Sequence, residues 1–185
     1  MNGRLATAEE LLDFWFSPRV AKRWFNSTPE FDAELRDKFA ATYSAACRGE
    51  LDDWQASARG ALALVILFDQ IPLNIFRKQA QSFATEARAR AVAAQAIAQG
   101  FDAELSGAQK AFLYLPYMHS ETLADQDQSV EFFRQAGLND NLRFAEHHRE
   151  IVRRFGRFPH RNAILGRESS AEEIAWLASK DGFKG

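Results

Sequence analysis

Apolar residues recur at helical spacing through most of this chain. Thr7, with Glu10 three residues on, forms a capping box that predicts a short helix through Phe16, ended by Ser17-Pro18. A short segment carrying Trp24 and Phe25 follows. Thr28-Pro29 is a second start signal. Phe31, Leu35, Phe39 and Tyr43 then predict a helix that Gly49 closes. Between Arg59 and Ile71 the pattern changes. Ala61 to Phe68 is apolar without interruption, so a helix here has no polar face and belongs at the centre of the core. A buried parallel strand would read the same way, but no other strand-like segment exists to pair with it. Pro72 is expected to stop this element.

Phe83 to Gln99 is rich in alanine, predicts another helix, and is capped by Gly100. Ser106 opens a helix that Pro116 should interrupt, and Ser120 opens one running to Gly137. Asn139-Asp140-Asn141 reads as a turn before a helix from Leu142 to Phe155. Ser169 and Ser170, with Glu172 and Glu173, offer two overlapping capping boxes for a last helix through Ala178. The fold class is therefore all-α. About eight helices joined by short connections read as stacked antiparallel hairpins in a single domain of residues 1–185. This is a tetratricopeptide-like array, although no clean repeat of about 34 residues is visible.

Composition adds limits. The 185 residues include 16 Phe and 4 Trp, enough for a real core. The net charge of -2 gives no general pull toward nucleic acid or an anionic membrane, and neither is expected as a partner. The single cysteine, Cys47, excludes an internal disulfide and an all-cysteine zinc site and points to a reducing, cytoplasmic setting. MNGRLATAEELLDFWF places two glutamates ahead of any apolar run, unlike a signal peptide. The longest apolar run, Ala61 to Phe68, is far short of a membrane span.

Candidate chemistry comes from polar residues in apolar surroundings. On Leu142–Phe155 the apolar face is Phe144, Ile151, Val152 and Phe155, with His148 in its middle. His148 is either a core histidine bonded to a carbonyl or carboxylate, or part of a pocket wall. Gln126 lies between Leu123, Val130 and Phe133 on the inward face of the preceding helix. Glu121 and Asp125, four residues apart, share a flanking face and would want arginine if enclosed. Asp69, Gln70, Asn74 and Arg77 directly follow the buried helix, as caps or as a pocket floor. Arg149 to Arg167 holds six arginines, one acid (Glu150) and no lysine: +5 locally against -7 elsewhere. Arginine without lysine favours bidentate contact with carboxylate or phosphate, whether from a ligand or from Glu121, Asp125 and Asp69 of the same chain.

Dinucleotide, P-loop, nucleophile-elbow and helical zinc or di-iron signatures are absent, and no metal or cofactor is expected. Cys47 has no neighbouring histidine and reads as packing.

Several stretches are shared with a known family. LLDFWF (11–16), RWFNSTPEFD (23–32), LDDW (51–54), ALALVILFDQIPLNIFR (61–77), FLYLPYMHSE (112–121) with Gln126, and FGRFPHRNAILGR (155–167) follow one another along nearly the whole chain. The sequence resembles a bacterial domain-of-unknown-function family, number 924. The resemblance implies an all-α, tetratricopeptide-like fold and no established activity. Leu73 and Met118 depart from its pattern, where arginine and glutamate are common, which warns against treating every charged family position as a ligand contact.

The leading expectation is a helical binding protein. Its pocket would join Asp69, Gln70, Asn74 and Arg77 with His119, Glu121, Gln126, His148 and the Arg157–Arg167 segment. Arg157, Arg161 and Arg167 would clamp an anionic small molecule or a peptide carboxylate, and His160 and Asn162 would orient it. A second expectation is a hydrolase or isomerase acting on a phosphate- or carboxylate-containing molecule. There His119 or His160 would be the acid–base group, held by Glu121 or Asp69. A third is a purely structural network, with protein–protein interaction on the outer surface.

Overall fold

The computed structural model describes residues 4–182. Among them the chain is all helical, with nine helices and no strand. It divides into two compact units, one of Met1–Arg77 and Gln81–Pro116, the other of Lys78–Ala80 and Tyr117–Gly185, so far as their residues are described. The first contains α1 (Ala8–Trp15), α2 (Pro18–Ala21), α3 (Pro29–Cys47), α4 (Ala58–Ile75), α5 (Glu86–Ala98) and most of α6 (Gly107–Met118). The second contains α7 (Leu123–Gln135), α8 (Asn139–Phe155) and α9 (Ala171–Ala178). The ninth helix, beyond the eight expected, is the four-residue α2.

The capping signals form as expected. Thr7 and Glu10 close the box at α1, Thr28 accepts from the Phe31 amide with Pro29 in the first turn of α3, and Ser170 with Glu173 caps α9. Of the two boxes offered at α9, Ser170–Glu173 is the one made.

The centre of the first unit is α4. Every residue from Gly60 to Pro72 is buried, and the helix packs on α1, α3 and α5. Burying Leu62, Leu64, Ile66, Leu67 and Phe68 stabilises by roughly 1.5–3 kcal/mol per side chain. By length and composition Ala58–Ile75 could cross a membrane, but 89% of it is buried within the chain, so the core consumes its apolar surface.

Pro72 does not stop α4, contrary to expectation. The helix passes through a π turn at Ile66–Gln70, where the Ile71 amide reaches back to the Ile66 carbonyl, and continues to Ile75. An α-helix would ask Pro72 to donate to the Phe68 carbonyl, four residues back, and proline has no N–H to give. The Thr85 hydroxyl donates to that carbonyl instead, at 2.6 Å. Asp69 and Gln70 therefore lie inside a continuous helix. At its end the Arg36 guanidinium donates to the Ile75 carbonyl (2.6 Å), placing positive charge at the helix C-terminus.

Other boundaries shift as well. Pro116 does not interrupt α6: residues 111 to 118 are all buried, and their packing outweighs a proline cost on the order of 3 kcal/mol. The helix expected from Ser120 begins at Leu123. The helix expected from Leu142 begins at Asn139, so Asn139, Asp140 and Asn141 form its first turn. The helix expected from Phe83 begins at Glu86, after a 3-10 turn at Ala80–Phe83. Gly137, with φ 67°, turns the chain between α7 and α8, and the two helices pack along their lengths.

Candidate functional site

The expected inward faces of α7 and α8 need one correction each. Leu123 and Phe144 are exposed, at 42% and 59%, while Ser129 and Ala145 are buried. Each buried face is rotated slightly from the apolar stripe, and Gln126 and His148 are enclosed, each donating to backbone carbonyls. Gln126, fully buried, donates from Nε2 to the carbonyls of Met118 and Ser120, both at 2.7 Å, and so caps the end of α6. His148 donates from Nδ1 to the Phe144 carbonyl of its own helix, at 2.8 Å.

α8 ends at Gly156, in the left-handed conformation (φ 68°) that lacks a side-chain penalty only for glycine. The chain then enters the segment Phe158–Arg167, which opens with a 3-10 turn at Pro159–Arg161. Two carboxylates pin it. Glu121, just before α7, accepts the Phe158 amide on Oε1 (2.7 Å) and takes both terminal nitrogens of Arg167 (2.7 and 2.9 Å). Arg167 also donates to Asn162 Oδ1 (3.0 Å) and the Phe158 carbonyl (3.1 Å). Asn162 passes the network on through Nδ2, to Ser169 Oγ (3.0 Å) and Glu173 (3.3 Å).

Glu173 is only 3% exposed. It takes Arg157 on both oxygens, at 2.7 and 2.8 Å, and accepts the Ser170 amide at 2.8 Å. Arg157 further donates to the Glu168 carbonyl (2.8 Å). One side chain thus caps α9 and anchors Arg157. Arg157's hydrogen bonds hold the Glu173 carboxyl down at about 2, against burial. For Glu121, burial works against the charge, but Arg167 and the Phe158 amide outweigh it and keep the carboxyl below the usual carboxylate range.

Phe158, itself buried, is the apolar floor of this cluster. His148 lies edge-on to it (ring centroids 5.5 Å apart), His160 is tilted against it (5.7 Å), and the Arg161 guanidinium sits over its face at 4.9 Å. Arg161 is buried and donates to the His119 carbonyl (3.2 Å). Burial pushes the His148 imidazole down to about 3. Burial, with Arg161 beside it, pushes His160 down to about 4, so both rings are neutral at pH 7.

The expected site residues of the first unit are linked to one another. Asp69, Gln70 and Asn74 are buried in α4; Gln70 Nε2 donates to Asp69 (2.6 Å), and Asn74 Nδ2 donates to the Gln70 carbonyl (3.1 Å). Arg77 forms a two-pronged pair with Asp32 (2.6 and 2.9 Å) and also donates to Asn74 Oδ1 (3.1 Å). Burial of Asp32 is outweighed by Arg77 and Ser27, which lower its pKa.

The sequence reading missed Asp32, Thr85 and Glu173. Asp32 had a signal, being a carboxylate beside Phe31 on the buried face of α3. Glu173 was visible only as a cap. Of the carboxylates expected to meet the arginines, Glu121 pairs with Arg167, and Asp125 accepts from Ser120 Oγ (2.5 Å). Cys47 is half-buried, and its carbonyl accepts from Arg88 (2.7 Å). No metal-binding group of three or more His, Cys, Asp or Glu side chains occurs among the described residues. Two open hollows, of about 590 and 260 Å3, lie in the first unit. They are lined by Pro18, Arg19, Lys22, Arg23 and Asn26, and by Arg4, Ala6, Glu10, Phe14, Lys38 and Phe39. None of the expected site residues lines either.

The profile of a family described as bacterial proteins of unknown function, DUF924, matches residues 11–181. The chain belongs to that family. A solved structure of a protein of unknown function from Agrobacterium tumefaciens is similar at 42% identity, with a TM-score of 0.88, covering 92% of this chain and 96% of that one. No curated protein matches. Within this DUF924 chain, the family-like stretch FGRFPHRNAILGR is the segment that Glu121 and Glu173 pin. Of the two positions that depart from the family pattern, Leu73 is half-buried and Met118 buried.

Proposed function

We propose that this protein is a helical binding protein whose arginine–carboxylate network holds the Phe158–Arg167 segment in place, and that it meets its ligand or partner on its outer surface. One observation carries this reading. Arg157 and Arg167, expected as anion clamps, spend three and four hydrogen bonds on Glu173, Glu121, Asn162 and backbone carbonyls. A clamp must keep its fork free for the ligand. The acid–base reading has less support: a general base works best with a pKa near the operating pH, and His160 is held near 4. Glu121, its expected orienting group, is occupied by Arg167 and the Phe158 amide.

The test compares Arg167→Lys and Glu121→Gln with the parent chain by chemical denaturation and by thermal shift against phosphate, acetate and divalent metals. A structural role predicts a loss of roughly 1.5–3 kcal/mol in each variant, as charge-assisted hydrogen bonds inside a network are removed, with the response to every anion unchanged. Loss of anion binding in Arg167→Lys at unchanged stability would sink the proposal.

A further inference from the structure

One surface of the first unit gathers positive charge that the fold does not consume. Between Pro18 and Asn26 the chain carries Arg19, Lys22 and Arg23 and no acid. With Pro18 and Asn26 these side chains line the open hollow of about 590 Å3, a volume typical of sites for small molecules. Glu34 takes Arg19 on both oxygens, at 2.7 and 2.9 Å. Glu30 feels the charge of Arg23 but makes no ion pair with it, and neither Lys22 nor Arg23 has a carboxylate within 4.0 Å among the described residues. Among the described residues, two positive charges are left without an ion-pair partner at the hollow.

The backbone beneath them is anchored. Ser17 caps α2, the Arg23 amide donates to the Val20 carbonyl (2.7 Å), and the Asn26 amide donates to the Arg23 carbonyl (3.2 Å). Trp24 Nε1 donates to the Trp15 carbonyl (2.9 Å), tying the segment to α1. Next to these, Phe25 is 76% exposed, with its ring stacked on Phe112 at 6.3 Å.

The geometry points to this hollow as a binding site for the phosphate group of a small phosphorylated molecule, with Lys22 and Arg23 as its charge partners and Asn26 as a neutral donor. It rests on the reading that ligands meet the outer surface. A phosphate monoester carries close to two negative charges near neutral pH, matching the two uncompensated cations; a carboxylate would match one. Arginine supplies a fork for two phosphate oxygens and lysine a point charge.

Titration of the 15N-labelled full chain with inorganic phosphate, with acetate as the singly charged control, tests the assignment. Saturable amide shifts confined to residues 18–26 are expected. Affinity should fall about fivefold in Lys22→Ala or Arg23→Ala and be lost in the double variant. These side chains are exposed, so melting temperatures should stay near that of the parent. Phosphate binding should tighten as pH rises through neutrality, where the second ionisation of inorganic phosphate adds charge while lysine and arginine stay protonated, and weaken with added salt. An absence of saturable shifts at 18–26, unchanged binding by the double variant, or acetate binding as tightly as phosphate would each overturn the site. Phosphate shifts centred on residues 157–167 that vanish in Arg167→Lys would instead overturn the proposed function.

Discussion

At the scale of single residues, Gly60 shows how a small side chain can be demanded by packing and not by backbone conformation. It sits inside the first turn of α4, where alanine is normally favoured over glycine by about 1 kcal/mol. A β-carbon there would lie 2.1 Å from the Trp54 carbonyl oxygen and 3.0 Å from Ser57 Oγ. The nearer atom is backbone and cannot swing aside. Gly60→Ala should therefore lower stability by roughly 1–3 kcal/mol, the usual cost of overpacking, measured by urea denaturation. A stabilised variant would mean that the 3-10 turn at Asp52–Ala56, just before α4, moves freely. Glu173 is the opposite kind of residue: its spacing from Ser170 announced a cap, and nothing in the sequence announced Arg157, sixteen positions earlier, as its second partner.

At the scale of elements, α4 stays continuous across Pro72 because a residue from the next part of the chain replaces the missing donor. Thr85 supplies a hydroxyl to the carbonyl that proline leaves unpaired. Thr85→Val, which keeps the shape and removes the hydroxyl, should cost about 1–3 kcal/mol, the penalty for a buried acceptor left unsatisfied. In a Pro72→Ala background the new amide N–H is available to the Phe68 carbonyl, and the cost of Thr85→Val should shrink. Equal costs in both backgrounds would separate the two residues energetically. Local rules make prolines 72 and 116 breaks, since those rules know only the lost hydrogen bond and the ring clash. Burial on all sides of α4 and along residues 111–118 of α6 overrides them.

At the scale of the whole molecule, buried neutral histidines make stability depend on acidity. His148 and His160 titrate near 3 and 4 when folded, against 6.5 as ordinary imidazoles. Unfolded chains therefore bind protons that folded chains refuse. Stability from this source is intact above about pH 6.5 and falls as pH drops toward the folded values. Between about pH 5 and 6 the unfolding free energy should decline with a slope approaching about 2.7 kcal/mol per pH unit, one proton per histidine. His160→Asn should reduce that slope by about half. A flat profile across this interval would show that the rings are not held neutral by burial.

Much of this architecture is local in origin and was readable from residue order alone. The capping boxes at Thr7 and Ser170, the Thr28-Pro29 start, the uninterrupted apolar run of α4 and the glycine stops at 49 and 100 act over a few residues, so their consequences are written at their own positions. The enclosure of Gln126 and His148 was legible too, because a polar residue on an apolar face is visible from periodicity. What periodicity cannot carry is who pairs with whom across long sequence gaps. That Glu121 closes on Arg167, Glu173 on Arg157, Asp32 on Arg77 and Thr85 on Phe68 was decided only when packing brought distant segments together. The same packing decided that the densest run of arginines is largely spent inside the chain, while the smaller cluster at Arg19, Lys22 and Arg23 keeps two charges facing solvent. Charge counted along a sequence is formal; charge available to a ligand is what remains after the fold has chosen its own counter-ions.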